Sequence, residues 1–233
     1  MASRQERDYL RHIAKRRADT VSFLSSDRKP EQERSACAAF LRGLGIPFLV
    51  AELKSVERGQ DPPDIIFRDG RIEVCEHLNQ GRRRHDEARA MAQQTQQAQT
   101  IDDVLLPRRG ERTPLSLADA YNLVAEALAN KCARRTYTAE VRAELDALVC
   151  IQLLDKFLRP ALPLPPHDAL FKQGWRSVSL IMDPYGHVIY ATESAPAFLR
   201  EYCGQTRKAW TDSLLDKLFS LEQDLDASAL DTP

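Results

Sequence analysis

The chain has 233 residues, a formal net charge of −1 and 43% hydrophobic residues, a composition typical of an ordinary globular protein. The balanced charge excludes a protein whose overall basic field attracts nucleic acid, although the charges are unevenly spread. Residues 1–35 hold nine Lys and Arg against six acids, whereas residues 211–233 hold six acids against one lysine.

The N-terminal stretch, the apolar runs and the cysteines indicate the cellular compartment of the protein. The N-terminal stretch "MASRQERDYLRHIAKRR" has no apolar region, so a secretory signal is not expected. The longest apolar runs, such as "ALVCI", are far too short to cross a membrane. Five widely spaced cysteines without a CxxC pair indicate reduced thiols. We therefore expect a cytoplasmic protein that makes no membrane contact.

The first half of the chain combines helices with a strand-rich centre. Apolar spacing predicts helices over residues 5–25 and 30–44, the second beginning near a proline and ending at "GLGIP". The run "FLVAELK" at 48–54 predicts a strand. Strands are also predicted over 64–67 and 71–78, and the Asp-Gly between them is a strong hairpin signal.

The second half repeats this mixture of elements. Helices are predicted over residues 82–100 and after Ser116, which forms a capping box with Asp119. The latter helix carries an apolar stripe of Leu117, Tyr121, Val124 and Leu128. A buried strand is predicted at 147–154, followed by a second hairpin made of "WRSVSLIM", the turn "DPYG" and "HVIYA". Short helices are predicted at 195–203 and 210–224.

This order of elements indicates an α/β or α+β fold. We expect one domain over residues 1–210, including the basic N-terminal helix, and an acidic C-terminal helix or tail over 211–233.

Three carboxylates are candidates for a shared site. Glu33 lies on the inward stripe of its helix with Cys37 and Phe40, and Asp64 opens a strand after two prolines. A four-residue turn would bring Glu73 level with Asp64 on the neighbouring strand. Converging carboxylates repel one another unless a cation holds them, and ligation by oxygen alone favours Mg²⁺ or Mn²⁺. Such an ion activates water and stabilises the charge that develops on a phosphodiester.

Simpler interpretations of the same residues stay open. Aspartate is a frequent turn residue, so Asp64 also suits the end of a loop. Glu73 shares a strand face with Cys75 and His77, and that face is either solvent-exposed or a site. A zinc site at Cys75 and His77 is disfavoured because zinc requires about four ligands in closer spacing.

The segment "PPDIIFRDGRIEVCE" resembles the PD-(D/E)XK nuclease superfamily. The blocks "RKPEQER…FLRGLGIPF", "PPDIIFRD…EV…GRR", "KQGWRSVSLI" and "APAFLR" resemble, in the same order, an uncharacterised bacterial family of that superfamily, DUF1780, whose members are described as putative endonucleases. The resemblance covers roughly residues 8–202, and "QGWRS" is its more specific motif. It implies a restriction-endonuclease-like mixed sheet flanked by helices, with a second, C-terminal β-hairpin.

The resemblance also implies roles for particular residues. Asp64 and Glu73 match the two acids that bind Mg²⁺, the carbonyl oxygen of Val74 matches a further ligand, and Glu33 matches the helix acid. The sequence departs from the superfamily at Cys75, which stands where a catalytic lysine is expected. A thiol is a poor substitute for an ammonium group. Candidates to replace the lysine, to orient water or to contact phosphate are Lys54, Glu76, His77, Arg82 and Arg83.

The sequence therefore predicts a metal-dependent endonuclease that acts on nucleic acid, with DNA favoured over RNA, and leaves a homodimer open. The absent lysine motivates an alternative from a different class. In that alternative, the nuclease fold has lost its chemistry and serves as a module that binds nucleic acid or protein.

Overall fold

The computed structural model describes residues 4–57, 59–104 and 111–208. Over these residues the helices and strands alternate in a mixed α/β arrangement. The helices are α1 Arg4–Phe23, α2 Lys29–Leu44, α3 Arg84–Gln97, α4 Leu117–Cys132, α5 Ala139–Arg142, α6 Asp168–Phe171 and α7 Ala197–Arg200. The strands are β1 Lys54–Ser55, β2 Ile65–Phe67, β3 Gly70–Leu78, β4 Thr113–Ser116, β5 Asp146–Gln152, β6 Lys156–Arg159, β7 Ser177–Met182, β8 Tyr185–Ala191 and β9 Thr206–Lys208.

Seven of the described strands form one mixed sheet in the order β1-β2-β3-β5-β7-β8-β9. The centre, β3-β5-β7, is parallel, while the strands at both margins pair antiparallel. The strands β4 and β6 pair in parallel as a separate small sheet. This confirms the predicted mixed sheet flanked by helices and the second C-terminal hairpin.

The sheet carries a hydrophobic core on each face, because its central strands alternate their side chains. On one face α4 packs with Cys75, Ala147 and Val149. On the other face α2 packs with Leu148 and Cys150. A strand buried on both faces is the usual arrangement in a parallel sheet covered by helices. The site described below lies where β3 passes between these two helices.

The helices that flank the sheet follow their sequence signals. In α2, Pro30 lies in the first turn, and Gly45 ends the helix with a φ of 78°. In α4, the Ser116 hydroxyl accepts a hydrogen bond from the Asp119 N–H. The predicted stripe of Leu117, Tyr121, Val124 and Leu128 is buried. These signals fix how each helix begins or ends and which face it buries.

The strand predicted over 48–54 is wrong. Val50–Glu52 forms a 3₁₀ turn, and only Lys54 and Ser55 join the sheet. The Glu52 carboxylate accepts a hydrogen bond from the N–H of Leu49, and the Leu49 side chain is exposed to solvent. The local hydrogen bond stabilises the turn, so the apolar run does not form the long strand that its composition favours.

The helix predicted over 210–224 and the acidic tail lie outside the described residues. Among the residues that the structure does describe, no helix is both long and apolar enough to span a membrane.

Candidate active site

Asp64 and Glu73 lie side by side, as the hairpin spacing predicts. Ile65 pairs with Ile72, which places the residues before and after them, Asp64 and Glu73, level on adjacent strands. The N–H of Asp64 donates to the Ile72 carbonyl over 3.1 Å, and its Oδ2 accepts from the Val74 N–H over 2.9 Å. Both acids are buried, with Glu73 only 1% exposed and Asp64 6% exposed. A buried carboxylate of this kind requires a paired cation.

The cation is the ammonium group of Lys131, in the last turn of α4. Its Nζ donates to Oε1 of Glu73 and, over 3.0 Å, to the carbonyl oxygen of Val74. The same nitrogen lies 3.9 Å from Oδ2 of Asp64. Lys131 therefore contacts or closely approaches three of the four groups that the sequence resemblance assigned to a metal.

Tyr137 completes the surroundings of Glu73. Its hydroxyl donates to Oε1 of Glu73 over 2.6 Å, and its ring packs against Trp175 with centroids 5.9 Å apart. Burial, assisted by the charge of Asp64, raises the pKa of Tyr137 to about 12, so the phenol stays protonated and donates. The other oxygen of Glu73, Oε2, is buried and has no hydrogen-bond partner among the described residues.

Glu33 reaches Asp64 from α2, on the opposite side of the hairpin. Lys29 lies between the two acids, with its Nζ 2.8 Å from Oε1 of Glu33 and 3.5 Å from Oδ1 of Asp64. The pKa of Glu33 is raised to about 7, chiefly by burial, which the hydrogen bond of Lys29 opposes and the nearby charge of Asp64 assists. Asp64 thus has one lysine beside each of its oxygens.

The same burial acts in the opposite direction on Lys131. It lowers the pKa of Lys131 to about 8, although the charge of Asp64 opposes the change. For Lys29, burial alone would lower the pKa, but the hydrogen bond to Glu33 and the charge of Asp64 outweigh it, and the pKa is raised. Lys131 is therefore the amine of this cluster whose charge changes nearest neutral pH.

Cys75 belongs to the hydrophobic core and not to this polar cluster. It faces α4 with Val124 and Leu128, one strand position beyond Val74. Burial raises the pKa of its thiol far above the ordinary value, so it stays protonated and unreactive. Lys131 therefore brings an amine to Glu73 from a helix, while Cys75 packs in the hydrophobic core.

The other residues named from sequence are held elsewhere or lie outside the cluster. Arg82 pairs with Glu87 and donates to the Gln152 carbonyl, and Glu76 pairs with an arginine of α3. Arg83 and Lys54 are exposed, while His77 is half-buried on β3. Among the described residues, none of these side chains forms an ion pair with Asp64, Glu73 or Glu33.

Lys131 was missed because its contact with Glu73 spans 58 positions of sequence. A signal for it does exist. The buried stripe of α4 has members at Leu117, Tyr121, Val124 and Leu128, and the next step of this spacing is Lys131. A lysine in line with a buried stripe has to find a partner, and the adjacent strand supplies a buried carboxylate.

The donor set partly matches a divalent cation. Glu73 Oε2 is a buried oxygen with no partner in the described ranges, and a bound water or ion is one of the partners that such an oxygen can take. The oxygens of Asp64, Glu73 and the Val74 carbonyl are the type that Mg²⁺ and Mn²⁺ prefer. Over residues 4–57, 59–104 and 111–208, however, no three His, Cys, Asp or Glu side chains are gathered to hold a metal, and Lys131 lies among these oxygens instead.

Comparison with known proteins places the chain in a family. A family profile described as "Putative endonuclease, protein of unknown function (DUF1780)" matches residues 5–212. A search of the curated proteins gave no match. The chain also resembles a solved structure from Pseudomonas aeruginosa strain PAO1, described as a protein of unknown function of the monooxygenase superfamily. The two share 25% sequence identity and a TM-score of 0.60, over 89% of this chain and 97% of the other. Because the profile spans most of the sequence, the chain belongs to the DUF1780 family.

Proposed function

We propose that this protein is a metal-dependent endonuclease that hydrolyses phosphodiester bonds, with DNA as the favoured substrate. The observation that carries the proposal is the contact of Lys131 with Glu73 and Val74 beside Asp64. Two acids and an amine around one point form the combination that phosphodiester hydrolysis needs. The endonuclease description of the family supports the same reaction class.

In this proposal Asp64, Glu73 and the carbonyl of Val74 bind Mg²⁺ or Mn²⁺, with Glu33 as a further acid beside Asp64. When bound, the metal ion lowers the pKa of water and neutralises charge on the phosphate oxygens. Without it, the Lys131 ammonium is the counter-cation of these oxygens.

The protein's own residues perform the remaining tasks. Lys131 supplies a buried positive charge that stabilises the negative charge developing on the phosphate, in surroundings where water screens it little. Tyr137 fixes the orientation of Glu73 through its short hydrogen bond. Lys29 holds Glu33 and Asp64 together in spite of their like charges.

A catalytically inactive nuclease fold is the second candidate from sequence. The thiol at position 75 favours this alternative, whereas the Lys131 ammonium beside Glu73 supports the active enzyme. The monooxygenase description belongs to the structural relative, which shares a quarter of its residues with this chain. The polar groups gathered around Asp64 are carboxylates, amines and a phenol, a set suited to hydrolysis.

Cleavage of supercoiled plasmid by the purified protein tests the proposal. We expect nicking with Mg²⁺ or Mn²⁺ that EDTA abolishes and that Asp64→Asn and Glu73→Gln each reduce by about 100-fold or more. Thermal unfolding of each variant controls for loss of fold. The proposal is overturned if folded wild-type protein with either metal leaves every substrate uncleaved. The substrates to be tested are duplex DNA, nicked DNA, branched DNA and RNA.

A further inference from the structure

The segment that follows α4 is held in a defined shape between two residues of the site. The N–H of Arg134 donates to the Lys131 carbonyl over 2.9 Å, and the Arg134 carbonyl accepts from the Tyr137 N–H over 3.1 Å. Two consecutive turns therefore share Arg134, with Lys131 at one end and Tyr137 at the other. Arg142 also donates to the Tyr137 carbonyl and fastens the segment to α5. We name residues 133–136 the α4 loop.

The α4 loop presents two arginines to solvent. Arg134 and Arg135 are both exposed. Neither side chain makes a hydrogen bond or an ion pair within residues 4–57, 59–104 and 111–208. Holding an exposed guanidinium group on a fixed backbone costs little, and its five donors stay available for a ligand.

Three other arginines near the sheet are already engaged. Arg82 binds Glu87 and the Gln152 carbonyl, and Arg176 binds Asp146. Arg142 donates to the carbonyls of Gln173 and Tyr137. Within the part of the chain that the structure describes, the arginines of the α4 loop differ from these three in having unused donors next to the candidate active site.

Charge explains what these donors would bind. The candidate active site holds the buried acids Asp64 and Glu73, which repel the phosphates on either side of a bond brought to them. Arg134 lies close enough to Lys131 for its charge to oppose protonation of that amine. Exposed guanidinium groups in the adjoining α4 loop offset the repulsion, because their planar donors match two phosphate oxygens at once.

We propose that Arg134 and Arg135 bind the backbone phosphates that flank the scissile bond of a nucleic acid. The inference rests on the endonuclease function proposed above and assigns the surface that holds its substrate. Contacts of this kind position the backbone without reading its sequence.

Salt-dependent binding of a fluorescein-labelled DNA duplex, followed by anisotropy in EDTA so that no cleavage occurs, tests the proposal. For Arg134→Ala/Arg135→Ala we expect the slope of log affinity against log salt concentration to become shallower by about 1–2 than for wild type, since each phosphate contact contributes about 0.9. In Mn²⁺ the double variant should show an increased KM with a nearly unchanged kcat. The same binding measurement with single-stranded RNA of equal length shows whether Arg134 and Arg135 prefer a DNA or an RNA backbone.

The matched control is Arg207→Ala/Lys208→Ala, which removes the same charge from β9, at the far edge of the seven-stranded sheet. It should leave slope and KM close to those of wild type. If wild type cleaves DNA and the Arg134/Arg135 variant keeps the wild-type slope, or if the control loses as much, the inference is overturned and the endonuclease function stands. If wild type neither binds nor cleaves nucleic acid, both proposals fall.

Discussion

At the scale of single residues, the site is organised by amines that lie between acids. Lys131 contacts Glu73 and lies near Asp64, while Lys29 joins Asp64 to Glu33. Burying one member without its partner would leave an uncompensated charge, which is strongly destabilising. The cluster therefore depends on the relative positions of α2, α4 and the hairpin between them.

Tyr137 is predicted to act by orienting Glu73. The change Tyr137→Phe removes one of the two donors to Oε1 and keeps the ring against Trp175. Because a hydrogen bond to a charged group contributes about 1.5–3 kcal/mol, we expect kcat to fall about 10- to 100-fold. Single-turnover cleavage in Mn²⁺ measures this, and the exposed Tyr9 provides the control Tyr9→Phe. An unchanged kcat in Tyr137→Phe would contradict the role.

Glu33 makes stability depend on pH in the metal-free protein. Its folded pKa of about 7 lies above the ordinary 4.5, so between these values the folded chain binds more protons than the unfolded chain. The contribution of this carboxyl to stability is therefore full below about pH 4.5 and is lost as the pH rises through 7. Urea unfolding in EDTA should show that the stability of wild type relative to Glu33→Gln falls across this window. A difference that stays constant from pH 4.5 to 7 would contradict the raised pKa.

At the scale of elements, the "QGWRS" motif serves the sheet. Arg176 pairs with the buried Asp146, and the Ser177 hydroxyl donates to the same carboxylate over 2.8 Å. The Gln173 amide donates to the Ala125 carbonyl of α4, and Trp175 is buried against Tyr137. The motif thus ties β7 to β5 and α4.

Arg176→Ala is predicted to destabilise the fold, because it leaves Asp146 buried without its counter-ion. Breaking a buried pair on one side costs about 3–5 kcal/mol, and the remaining donors to Asp146 place the expected loss near the lower end. Urea unfolding measures it, with the exposed Arg200→Ala as the control. Equal stability of the two variants would contradict the structural role of the pair.

Much of the fold follows from local sequence signals, whereas the charge balance of the site does not. The Asp-Gly turn and apolar alternation predict the β2–β3 hairpin and its register, and so the adjacency of Asp64 and Glu73. The segment 48–54 fails because a side chain of the segment bonds its own backbone. The contact between Lys131 and Glu73 could not be predicted from neighbouring residues, because α4 brings Lys131 to Glu73 only when the helix packs on the sheet.

At the scale of the whole molecule, the sheet separates two cores and places the site where both meet. Glu33 comes from the α2 face and Lys131 from the α4 face, while Asp64 and Glu73 come from the hairpin at the margin. The buried acids thus lie where the two cores meet, and the exposed arginines of the α4 loop lie in the chain between Lys131 and Tyr137.

The uneven charge of the sequence leads to a prediction about residues 211–233. These residues hold six acids and one lysine, opposite in sign to the basic residues 1–35. If they screen that basic region, removing them should raise non-specific DNA binding at low salt and steepen its salt dependence. Anisotropy of full-length and truncated protein on an unrelated duplex measures this. Equal DNA affinity of the full-length and truncated proteins at low salt would contradict screening by residues 211–233.

The central claim is that Lys131, and not the residue at position 75, provides the amine of a metal-dependent site. Plasmid nicking in Mn²⁺ by Lys131→Met and Cys75→Ala, beside calorimetric Mn²⁺ titration of each, tests it most directly. We predict a loss of about 100-fold or more in Lys131→Met, with Mn²⁺ binding at least as tight as in wild type, because a competing cation has been removed. Cys75→Ala should bind Mn²⁺ and cleave at close to the wild-type rate. Wild-type cleavage by Lys131→Met would contradict the account.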